Sequence, residues 1–209
     1  MSSLSNALFS VRETTTIAVP KEFSIQLLLV GGIALAQHYA TLYYIAKRKE
    51  IYGRYKYMQN YSKDHQIAFS TPHSTEPSKK IHPHGDPDSV DGWYSSKLSY
   101  REWYELACAK RAHLEQVENS SLAIIFSLIG GLKFPVLCLG FGSAYLIGTL
   151  VFARSYQREG ANTGKKCLGR IMMRGSLWVL GGLAIVAAGK LVGETYNIDI
   201  NSIRNLLKF

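Results

Sequence analysis

Two stretches of the chain carry no charged side chain at all, Phe23 to Ala46 and Phe134 to Ala153. At about 1.5 Å of helical rise per residue, each is long enough to cross the ~30 Å hydrocarbon core of a bilayer. A third apolar stretch runs from about Ile171 to Val192, with Arg174 and Lys190 toward its ends. Both side chains are expected to snorkel toward headgroups. A further helix is predicted from Ser99 or Tyr100 to Ile129. The sequence is apolar from Leu122 to Leu132, but the first half of this helix carries Glu102, Glu105, Lys110, Arg111, Glu115 and Glu118. Lipid alone would not accommodate that row, so its polar face is expected to look onto protein or a cavity.

The connections are unequal. Residues 50–98 are rich in Tyr, Lys, His, Ser, Pro and Asp and read as a long polar loop. Gly130 to Pro135 reads as a tight turn, and Arg158 to Gly169 as a basic loop. Gly140, Ala144 and Gly148 recur every four residues, a stripe expected to let two helices approach closely. The order of elements predicts an all-α integral membrane protein. It is a four-helix up-down bundle over residues 23–193, with tails at 1–22 and 194–209. Ile198, Ile200, Ile203, Leu206 and Leu207 predict a short interfacial helix in the second tail. Lys and Arg concentrate in the first and third loops, and the second has only Lys133. The positive-inside rule then places loops one and three in the cytosol or matrix.

Charge sharpens this picture. Only 19% of the 209 residues are charged, with a net charge of +9. The excess flanks the lipid-sized segments, at Lys47-Arg48-Lys49 and from Arg154 to Arg174, so membrane lipids are the expected partner and nucleic acid is not. Three cysteines, Cys108, Cys138 and Cys167, imply no disulfide framework. The first twenty residues lack the apolar core of a secretory signal and are only loosely similar to a mitochondrial presequence. His82-Pro83-His84-Gly85-Asp86-Pro87-Asp88 has prolines and no fixed ligand spacing, which predicts a solvated loop and no metal. His38, polar at membrane depth, is placed to bond a neighbouring helix, and His113 is expected to pack.

Arg111, Glu115 and Glu118 fall at i, i+4 and i+7, on one helix face. A buried face of this kind either binds a ligand bearing both charges or pairs internally, within itself or with Arg154 or Arg158. The segment Lys110-Arg111-Ala112-His113-Leu114-Glu115-Gln116-Val117-Glu118 resembles the second-helix signature of the MAPEG family. These are the membrane-associated proteins of eicosanoid and glutathione metabolism, among them the microsomal glutathione transferases. Ala46-Lys47-Arg48-Lys49 through Tyr55-Lys56 is similar to the basic, tyrosine-bearing exit of that family's first helix. Ile147-Gly148 through Tyr156 is similar to its third helix, and Gly181-Gly182 falls in a small-residue fourth. The resemblance covers residues 23–60 and 100–193.

The resemblance implies a homotrimer with glutathione between protomers, held by Arg111, Glu115, Glu118 and Tyr156, and no other cofactor. Adjacent positive charge would lower the thiol's pKa, and the thiolate would attack a lipophilic electrophile or a lipid hydroperoxide. The sequence also departs from the family's pattern. Glu115 stands where the family has Asn and is expected to repel a ligand's carboxylates. Thr149 stands at the family's Arg, and Phe152 at the first of its two tyrosines, leaving Tyr156. Lys165 or Lys166 is the candidate replacement for a thiol-activating Arg. Each change acts against binding an anion. The sequence therefore favours an eroded glutathione site in a non-catalytic subunit of a larger membrane complex, with the respiratory chain of the mitochondrial inner membrane the expected host. There Arg111 and Glu118 would form an internal pair. An active glutathione transferase or peroxidase of the endoplasmic reticulum or mitochondrial outer membrane is the alternative.

Overall fold

The computed structural model describes residues 19–69, 80–160 and 164–195. Both tails, including the expected interfacial helix, lie outside them. Four long helices dominate: α1 (Phe23–Gly53), α2 (Tyr100–Gly131), α3 (Pro135–Glu159) and α4 (Gly164–Thr195). A short helix, Ser62–Phe69, and two 3₁₀ segments, Arg54–Tyr61 and Ser95–Lys97, lie between α1 and α2. No strand occurs among the described residues.

Local chemistry explains the boundaries. Ser99 caps α2, its Oγ accepting from the Glu102 backbone N–H at 3.4 Å and donating to the Glu102 carboxylate at 2.7 Å. Pro135 sits at the first position of α3, where its missing N–H has no helical partner to lose. Gly160, at φ 78°, ends α3 in a conformation that favours glycine. Two helices exceed their apolar runs. α1 continues past Lys47-Arg48-Lys49 to Gly53, and α4 begins at Gly164, so most of the expected basic loop is helix.

α1, α3 and α4 are each long and apolar enough to cross a membrane. α2, with its charged first half, packs on all three others, as does α3. A short turn joins α2 to α3 and few residues separate α3 from α4, consistent with an up-down bundle. Ile33, Ala123, Tyr145 and Met173 form its buried centre, one residue from each helix. α3 and α4 nearly touch at Gly148 and Gly169. A Cβ at Gly148 would lie 2.8 Å from the Met173 backbone nitrogen, and one at Gly169 2.7 Å from that of Phe152. The predicted stripe contributes Gly148 to this crossing. Gly140 faces open space.

Residues 50–98 are not simply the polar loop that their composition predicts. Their described part folds into a cap with its own apolar core, in which Tyr52, Met58 and Val90 pack with Ile51, Leu106 and Ala109 of the helices beneath. Asp88, 7% exposed, organises it. Its carboxylate accepts the backbone N–H groups of Val90, Gly92, Tyr94 and Ser95 at 2.7–3.1 Å, and the Ser95 hydroxyl at 3.1 Å. Tyr57 Oη donates to the Tyr94 carbonyl at 2.7 Å, and Tyr61 Oη to Tyr57 Oη at 3.0 Å. A loop scored by mean polarity hides such a core because tyrosines bury rings while their hydroxyls find partners.

Candidate functional site

Glu115 is the centre of the polar row. It lies on α2 with 0% exposure, and its two oxygens each accept a guanidinium. Arg111 Nη2 donates at 2.8 Å from one turn back on α2, and Arg174 Nη2 donates at 2.9 Å from α4. Both arginines are about half exposed, so each guanidinium has one edge on the carboxylate and the other free for something else. The carboxylate expected to repel an anionic ligand is instead enclosed, its charge taken up by two cations. Arg174, expected to reach for headgroups, turns inward because a buried carboxylate holds it more strongly than hydrated phosphate does.

Glu118 does not pair with Arg111 as the sequence analysis expected. It is exposed, and none of the described residues forms a salt bridge with it. The rise per residue puts Glu118 about 10 Å along the axis from Arg111 and Glu115 about 6 Å, so the guanidinium takes the nearer, buried acid. Arg154 and Arg158 do not join the network either. Arg154 lines a separate groove, and Arg158, near the end of α3, lies between that groove and Tyr156.

The remaining cations come from α4. Because the helix starts at Gly164, Lys166, Arg170 and Arg174 fall at i, i+4 and i+8 and share one face. Lys166 Nζ lies 5.3 Å from the Tyr156 ring centroid, and the Arg170 guanidinium 5.3 Å from that of Phe152. The Tyr156 and Phe152 rings are themselves 5.4 Å apart. Arg111 and Arg170 both lie within electrostatic reach of the Tyr156 hydroxyl. Arg170 Nε is buried and has no hydrogen-bond partner. A cleft of 240 Å³ opens beside Tyr156, toward Tyr104 and Cys108. Lys166, Arg170 and Arg111 thus lie about Tyr156 and Phe152, with Arg174 one turn further along α4, and Glu115 is the carboxylate among the described residues with which any of the four pairs. Such a place suits a ligand with more than one negative charge.

Of the predicted site residues, Arg111, Glu115 and Tyr156 come together, with Lys166. Lys165 does not join them. It points into a different groove, with Arg154 and Arg158. Arg170 and Arg174 were missed as site residues because Arg170 fell between the presumed loop and the apolar span, and Arg174 near the start of that span. The four-residue spacing from Lys166 was the available signal. Thr149 and Phe152 are 1% and 0% exposed and turn into the bundle.

The other polar candidates are quieter. His113 bonds Thr41 Oγ1 at 3.2 Å and stacks on Tyr44 at 5.5 Å, tying α2 to α1. His38 is exposed on α1. His82 Nδ1 accepts the backbone N–H groups of His84 and Asp86, and the described residues offer no cluster of three metal ligands.

A family model, that of the MAPEG family, matches residues 27–191, spanning both the helices and the cap. No curated protein and no solved structure matches the chain.

Proposed function

The chain belongs to the MAPEG family, and we propose that it binds glutathione beside Tyr156, where the cleft between α2 and α3 meets the cationic face of α4, and uses it on lipophilic electrophiles or lipid hydroperoxides. One observation carries this reading: Lys166, Arg170 and Arg174 share one face of α4 beside Tyr156, Phe152 and Arg111, and Glu115 is the carboxylate among the described residues that pairs with any of them. The positive charge that the third helix lost at Thr149 is supplied from the fourth. Arg111, Arg170 and Arg174 would take the tripeptide's carboxylates, and exposed Glu118, on the same side of α2 as Arg111, its ammonium. Lys166, beside Tyr156, would stabilise the thiolate. That thiolate attacks an electrophilic carbon, forming the S–C bond as the leaving group departs. Glu115 is a positioning residue. It aims two guanidiniums and is itself out of a ligand's reach.

A second reading rests on Thr149 and Phe152. They fill the bundle where the family pattern has Arg and Tyr, so the family's own anion and hydroxyl contacts are missing. The chain would then be a non-catalytic subunit of a larger assembly, with the mitochondrial inner membrane the favoured location. Calorimetry of glutathione binding, with particle mass in mild detergent, separates the two. Saturable binding to a particle of three protomers, weakened at least tenfold in Arg170→Ala, supports the enzyme. No binding at millimolar glutathione, with the chain inside a much larger particle, overturns it in favour of the subunit.

A further inference from the structure

A second groove, of 250 Å³, runs between α3 and the start of α4, lined by Val151, Arg154, Ser155, Arg158 and Lys165, of which Arg158 also borders the cleft beside Tyr156. Arg154 and Arg158 are one turn apart and exposed, and neither meets a carboxylate among the described residues. Ser155, 6% exposed, lies between them. The groove sits where the charge-free run of α3 ends, at the level of the headgroups on the side of loops one and three. Toward the membrane centre the same face of α3 is apolar and open. Val151 and Ile147 lie three and seven residues before Arg154, and Ile147 is 53% exposed. Leu168, 56% exposed, continues the strip on α4.

We propose that this groove is a binding site for one anionic phospholipid, its phosphate held by Arg154 and Arg158 and its acyl chains laid along Ile147, Val151 and Leu168. Cations directly above an exposed apolar strip match the two ends of a phospholipid. A soluble anion would use the first and leave the second bare. A zwitterionic lipid carries an ammonium that the same arginines repel. The site meets the cleft at Tyr156 only through Arg158, which lines both, while Val151, Arg154, Ser155 and Lys165 line this groove alone, so lipid retention is read independently of glutathione.

The test is native mass spectrometry of the detergent-solubilised full chain, titrated with phosphatidylglycerol or phosphatidylcholine in mixed micelles. Phosphatidylglycerol should be retained and phosphatidylcholine lost. At about fivefold per cation, Arg154→Gln/Arg158→Gln should weaken retention about 30-fold. The helical content and particle mass of that variant, checked alongside, should match the parent, and Arg154→Gln alone should give the intermediate value. Equal retention of the two lipids overturns the proposal, as does retention unchanged in the double variant. Displacement of phosphatidylglycerol by millimolar inorganic phosphate would reassign the groove to a free anion and also overturn it.

Discussion

The two sides of the membrane-proximal end treat positive charge differently. Under the cap, cations have acids close at hand. Lys47 meets Glu105 at 2.8 Å, Arg48 meets Asp86 at 2.5 Å, Lys110 meets Asp91 at 2.5 Å, and Arg54 reaches Glu102 at 3.6 Å. Across α2, on the α3–α4 side, Arg111 and Arg174 share one buried carboxylate, while Arg154, Arg158 and Arg170 pair with no carboxylate among the described residues. A cation already paired clips one segment to another and has little left to offer a ligand. A cation left half-paired at a bilayer boundary costs folding energy that a bound anion recovers. The cap therefore reads as architecture and the α3–α4 side as a surface for ligands.

The shared carboxylate gives the sharpest way to break that contrast. Removing either arginine alone leaves Glu115 one partner, so Arg111→Ala and Arg174→Ala should each be mildly destabilising. Removing both strands a fully buried carboxylate, at a cost of about 3 kcal/mol or more. Thermal unfolding in mild detergent measures it, and adding Glu115→Gln to the double variant should restore most of the loss. If the double variant costs no more than the sum of the singles, Glu115 is not the hub and the two sides do not differ in kind.

On the cap side the matching probe is Asp88. Asp88→Ala leaves the backbone donors of Val90, Gly92, Tyr94 and Ser95 without their acceptor beneath the surface, a loss of about 2 kcal/mol. The damage should stay local. Amide exchange should accelerate across residues 80–98 and hardly change in α3 and α4. A bundle that melts along with the cap would mean that the cap holds the transmembrane helices together.

How far all this was legible varies with the kind of signal. The four helices were readable because absence of charge over a bilayer's width has few other causes, and the Glu115 row because a charged helix face has to look at something. The cap was not readable. Its core is built from Tyr52, Met58 and Val90, scattered among polar neighbours, and its organiser, Asp88, works through backbone contacts that leave no periodic trace. The cationic face of α4 was half readable. Lys166, Arg170 and Arg174 have helical spacing, but a search for the apolar period starts the helix at Ile171 and leaves two of them outside. Partner choice was least readable of all. Arg111 takes Glu115 over Glu118 because of burial, which sequence spacing does not encode.

The smallest expected effect tests the paired side by pH. Glu105 stands in the first turns of α2, beneath the cap and outside the apolar run. Hydrogen bonds from Lys47 and then Arg101 hold its carboxyl below the usual glutamate range. A depressed folded-state pKa means that the unfolded chain binds the proton first. Stability from this clip is therefore complete above the ordinary glutamate pKa and drains away as the pH falls through the lowered folded value. Exposure and salt keep it small, below about 1 kcal/mol. Unfolding midpoints of the parent and Glu105→Gln should differ slightly at neutral pH and converge under acid. Raising the salt concentration should narrow the neutral-pH gap. If the gap instead persists at low pH, Glu105 contributes by packing, and the ion pairs under the cap are not what fastens it to α1 and α2.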